Sequence, residues 1–112
     1  MAVQAVNIVI EQGTDFERTF ALKVDNGDPL NLSKYTLAAG MKKWSYAANS
    51  ISFGTTYNAD PSLGRLTISM GSSVTGIITE GRYNYDVVIT NTTNDKKTKV
   101  ITGQVTVNST IA

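Results

Sequence analysis

The stretch Gly81-Arg82-Tyr83-Asn84-Tyr85-Asp86-Val87-Val88-Ile89-Thr90 decides the fold. Tyr83, Tyr85, Val87 and Ile89 take every second position, with Asn84, Asp86 and Thr90 between them. Successive side chains of an extended chain point to opposite faces, so this period predicts a strand over Arg82 to Thr90 with one face buried. Toward the C-terminus, Asn91 to Lys97 is a polar hairpin connection, and Lys99 to Val107 returns with Ile101, Gly103, Val105 and Val107 on one face. Toward the N-terminus, Gly71 to Gly76 reads as a loop or a single helical turn, and Leu63 to Met70 alternates Leu66, Ile68 and Met70.

Further upstream the same period recurs. Ile51 to Tyr57 reads as one strand, separated from the next by Asp60-Pro61-Ser62, and Tyr35 to Trp44 as another with Leu37, Ala39 and Met41 inward. Asp25-Asn26-Gly27-Asp28-Pro29 is a turn, because Asn-Gly accepts positive φ and Pro cannot continue a central ladder. From Asp15 to Val24, Phe16, Phe20, Leu22 and Val24 oppose Glu17, Thr19 and Lys23; before them Val6, Ile8 and Ile10 share a face and Gln12-Gly13 turns. About seven short strands without helical periodicity make this an all-β sandwich or barrel, of which the sandwich is the expectation. The entry into the Tyr83 strand, like that of the sixth immunoglobulin strand, makes it an immunoglobulin-like antiparallel β-sandwich. Residues 1–112 form a single domain in this reading, with its core over 6–107 and short flexible ends.

Composition narrows the chemistry. The 112 residues contain no Cys and no His, which removes disulfides, thiolate nucleophiles, the usual activator of a serine and the commonest transition-metal ligand. Ser72 and Ser73 lie outside a Gly-x-Ser-x-Gly elbow. The expectation is a non-enzyme with no cofactor. Ten Lys plus Arg against nine Asp plus Glu leave a net charge of +1, too little field to gather nucleic acid or an anionic membrane, and neither is an expected partner. No stretch has the length of a membrane span, and the first residues lack a signal-peptide pattern.

Tyr83 and Tyr85 are read as framework. Tyr83 fits the corner tyrosine that opens the sixth immunoglobulin strand and bonds its hydroxyl to upstream backbone, and Tyr85 then stands where such domains carry their second Cys, as core filler. Trp44, the only Trp, points outward by strand parity, or inward if a bulge intervenes; with Lys42, Lys43, Tyr46 and Tyr57 it forms the candidate interface. Asp25, Asn26 and Asp28 offer oxygens to calcium, but without the ordered ligand series of a calcium loop they read first as turn residues, and no metal is expected. Lys96, Lys97 and Lys99 read as a solvated hairpin tip.

Four segments, Ile8-Val9-Ile10-Glu11-Gln12-Gly13-Thr14-Asp15-Phe16, Asp28-Pro29-Leu30-Asn31-Leu32-Ser33-Lys34-Tyr35, Gly64-Arg65-Leu66-Thr67-Ile68 and Gly81-Arg82-Tyr83-Asn84-Tyr85-Asp86-Val87, follow one another in order. Together they resemble the small immunoglobulin-like structural proteins of tailed bacteriophages, including N-terminal modules of upper-baseplate and tail proteins. The resemblance implies a virion structural module, made in the host cytoplasm and assembled in multiple copies against other virion proteins of the tail or baseplate. Residues 1–5 and 108–112 are expected to order by strand addition to a neighbour. The alternatives are a capsid decoration protein and a carbohydrate or cell-surface module in which Trp44, Tyr46 and Tyr57 stack on a host glycan.

Overall fold

The computed structural model describes residues 3–23, 27, 29–43, 50–57 and 60–111. Among them are nine strands: β1 (Gln4–Ala5), β2 (Ile8–Glu11), β3 (Phe16–Ala21), β4 (Tyr35–Lys42), β5 (Ile51–Ser52), β6 (Gly54–Tyr57), β7 (Arg65–Met70), β8 (Gly81–Asn91) and β9 (Lys97–Asn108). A single-turn helix, α1 (Ser72–Thr75), lies between β7 and β8. One sheet runs β1-β9-β8-β4-β5, with β2 also paired to β9, and the other runs β3-β7-β6. The second, fifth and fourth strands of the immunoglobulin topology thus share the small sheet, while its third, sixth and seventh lie side by side in the large one. The chain folds as an immunoglobulin-like β-sandwich.

The alternation read from the sequence fills the space between the sheets. Tyr83, Tyr85, Val87 and Ile89 of β8 are buried against Phe20 of β3 and Leu66, Ile68 and Met70 of β7, with Ile8, Ile10, Met41, Val105 and Val107 completing the core. Burial of each of these aliphatic side chains stabilises the fold by about 1.5–3 kcal/mol. Lys23 and Pro29 form an antiparallel bridge, and Gly27 has φ 90°, so the chain reverses at the expected turn.

Three expectations need correction. The sandwich is not wholly antiparallel: β1 and β2 run parallel to β9, because first and last strands joined through the whole domain are free of the hairpin constraint. Ile51 to Tyr57 is two strands in different sheets. Ile51 and Ser52 pair with β4, buried Phe53 donates its N–H to the Ala39 carbonyl at 2.9 Å, and from Gly54 the chain pairs with β7. At the crossing the buried Phe53 ring packs between Phe16 and Tyr85, with ring centres 5.9 and 6.3 Å away. Over Lys99 to Val107, the expected face of Ile101, Gly103, Val105 and Val107 holds, and the alternation breaks only before Ile101. Val87 faces Ile101 and Val88 faces Lys99, which leaves Val100 as a bulge residue, and both Val100 and Ile101 are buried.

Candidate functional site

The four recurring segments hold the framework together. Gln12 donates its side-chain amide to the Ile78 carbonyl at 2.6 Å, Gly13 turns with φ 74°, and Asp15 accepts the Ser72 N–H at 2.8 Å. Asp15 therefore satisfies a free N–H at the start of α1, where the preceding Gly71 has no side chain to do so. Thr75, the one buried polar side chain among the described residues, donates to the Thr14 carbonyl at 2.7 Å. Gly64, at φ 69°, sits where an added Cβ would lie 2.5 Å from the Leu22 carbonyl oxygen. Leu32 is fully buried ahead of β4.

Both tyrosines of β8 anchor backbone. The Tyr83 hydroxyl donates to the Thr79 carbonyl at 2.7 Å, four residues upstream. The Tyr85 hydroxyl donates at 2.7 Å to the carbonyl of Val6, between β1 and β2. Opposite Tyr85 stands Gly103, where a Cβ would collide with that same oxygen, so only glycine lets the N-terminal strand approach. Val6 N–H donates to Thr102 and the Asn7 side chain accepts the Gln104 N–H, which closes the seam. Burial pushes the Tyr85 phenol above its ordinary range, partly opposed by the nearby Arg18 guanidinium.

The outer face of the large sheet carries a hollow of about 640 Å³. Its floor is Gly40 and Thr102, which flank Asp86 in one row across β4, β8 and β9; Lys42 and Asn84 form the next row, and Ser50 closes one side. Lys99 pairs with Asp86 at 3.5 Å across the rim, both side chains about half exposed. Such a pair contributes little to stability, on the order of 1 kcal/mol or less, and is free to exchange partners. The hollow offers ammonium and amide donors and carboxylate and hydroxyl acceptors on a rigid sheet.

The expected interface residues are scattered. Lys42 lines the hollow. The Lys43 ammonium stands 5.2 Å from the centre of the Tyr83 ring, an intramolecular cation–π contact. Tyr57 is exposed on β6 beside a second hollow with Tyr35, Leu37 and Thr55, toward the opposite end of β4 from Lys42, roughly 20 Å away at strand rise. Trp44, Tyr46, Asp25, Asn26 and Asp28 lie outside the described residues. Sequence reasoning missed Gly40, although a lone glycine inside a strand is a signal of close approach or open space.

No protein-family model matches the chain, and no curated protein matches it in sequence. Solved structures are similar in shape. InlP of Listeria monocytogenes is similar with a TM-score of 0.52 and 16% identity over 95% of this chain and 28% of its own, so the chain spans little more than a quarter of that protein. NK cell receptor Nkp44, a triggering partner in natural cytotoxicity, is similar with a TM-score of 0.50 and 17% identity over 96% of this chain and 100% of its own. At these identities the likeness is one of fold, and that fold is the immunoglobulin-like β-sandwich.

Proposed function

We propose that the chain is a non-enzymatic assembly module of a tailed-phage particle, docking through the outer face of its large sheet on a neighbouring protein of the tail or baseplate. The observation that carries the docking surface is the polar hollow floored by Gly40 and rimmed by Lys42, Asn84, Asp86 and Lys99. A concave, polar, rigid patch of this kind suits a protruding polar loop, with a carboxylate of the partner meeting Lys42. The tailed-phage setting is supported by the resemblance of the four ordered segments. Their residues serve the framework, so a shared framework rather than a shared chemistry underlies that resemblance.

Immunogold electron microscopy of the parent particles, with antibody raised against the 112-residue protein, tests this. Gold at the tail or baseplate is the expected result, and gold over the head makes the chain a capsid decoration protein. Unlabelled particles from cells that blot positive overturn the assembly role. A second reading, binding of a host-surface glycan, draws on exposed Tyr57 beside its hollow. It requires signal on a glycan array that Tyr57→Ala or Trp44→Ala abolishes.

A further inference from the structure

Among the described residues, the small sheet leaves one long edge open: β3 pairs with β7 over all six of its residues and with no other described strand. Leu22 sends its N–H toward Gly64, beside β7, and backbone groups of successive strand residues point to opposite sides. Glu17, Thr19 and Ala21 therefore direct their N–H and C=O groups away from β7. The Ala21 carbonyl does accept from the side chain of Gln4 at 3.2 Å, on that outer side, and keeps a second lone pair. The other outermost strands are shorter, β1 and β5 with two residues each and β2 and β6 with four.

We propose that this edge pairs antiparallel with the same edge of a second copy, about a twofold axis at Thr19, joining two small sheets into one of six strands. The register follows from the residues. With Thr19 opposite Thr19 of the second copy, Glu17 meets Ala21 and all three outward-facing residues exchange both backbone bonds, six bonds in all. A slip that sets Arg18 against its own copy juxtaposes like charges, and a slip that sets Glu17 against its own copy does the same. A slip centred on Phe20 leaves only Thr19 and Ala21 paired within the strands.

Side chains on both faces suit the twofold register. On the inner face Arg18, whose guanidinium carbon is 5.8 Å from the centre of its own Phe20 ring, comes opposite Phe20 of the second copy. On the outer face the Thr19 hydroxyl bonds that of Thr67 at 2.8 Å, and Thr67 is level with Thr56, so a threonine row continues across the axis into its own image. Beyond the paired residues, Asp15 comes level with Lys23 of the second copy, opposite in charge. An inward-pointing charge on an edge strand discourages indiscriminate pairing. Arg18 thereby selects one register of self-association over open-ended growth.

Light scattering and sedimentation equilibrium of the purified protein, from micromolar to millimolar, test the proposal. The expected mass at high concentration is twice 12.0 kDa. Thr19→Glu and Thr19→Lys, at an exposed position, each put like charges on the axis and weaken association at least about tenfold, and mixing the two variants restores it. A wild-type mass of 12.0 kDa at millimolar concentration overturns the proposal. So does either variant associating as wild type does, or a mixture of folded variants, checked by circular dichroism, that fails to associate.

Discussion

The two sheets treat their strands differently on the side where the chain begins. In the large sheet, β9 is covered by β1 and β2, fastened by the Tyr85 hydroxyl, the Val6 N–H and the Asn7 side chain. In the small sheet, among the described residues, the outer edge of β3 receives a single side-chain amide, from Gln4, and no strand. One N-terminal segment serves one sheet, and in pairing parallel to β9 it leaves β3 as the longest outermost strand among the described residues. The Tyr85–Val6–Gly103 seam thus ties the N-terminal segment to the large sheet, and the proposed self-association falls to the opposite layer.

The sharpest way to break this contrast is Gly103→Ala. The added Cβ collides with the Val6 backbone, which cannot move aside as a flexible side chain would, so a loss of about 3 kcal/mol or more in urea denaturation is expected. Hydrogen exchange of that variant should speed up first across β1 and β2 while the Arg18 and Phe20 amides of β3, which face β7, remain protected. Tyr85→Phe removes one hydrogen bond at the same seam without adding bulk. It strands the Val6 carbonyl near Tyr85, for an expected loss of about 1–2 kcal/mol by the same measurement.

Alkaline titration sharpens the point. Burial raises the folded phenol above its ordinary 10.0, so above that pH the folded state holds more protons than the unfolded. The Tyr85 contribution is complete below pH 10.0 and is lost as pH rises through the folded value. Tyr85→Phe should flatten that part of the profile of stability against pH. The smallest effect belongs to the rim: Asp86→Asn breaks a half-exposed ion pair and should change stability by less than about 1 kcal/mol, leaving the seam unaffected.

Much of this fold was legible because strand burial has period two. Tyr83, Tyr85, Val87 and Ile89 declare their inner face without reference to any other segment, and the Gly81-Arg82-Tyr83 corner declares where the strand begins. Ile51 to Tyr57 misled for the same reason: a strand that changes sheets at Phe53 keeps its alternation, and periodicity carries no sign of which partner it has. The Val100 bulge was invisible because two adjacent apolar residues fit either parity. The candidate site was harder still. Its hollow depends on Gly40, Asp86 and Thr102 meeting in one row, a register set by three strands far apart in the chain.

Lys42 and Lys99 both line that hollow, which makes cross-linking mass spectrometry of purified particles the most direct test of the docking claim. With an amine-reactive reagent, Lys42 and Lys99 should link to one neighbouring virion protein, and the links should be lost in particles carrying a bulky Gly40→Trp variant that still folds. Links from Lys23 and Lys34 alone, with Lys42 and Lys99 reacting as free surface lysines in the assembled particle, would contradict it.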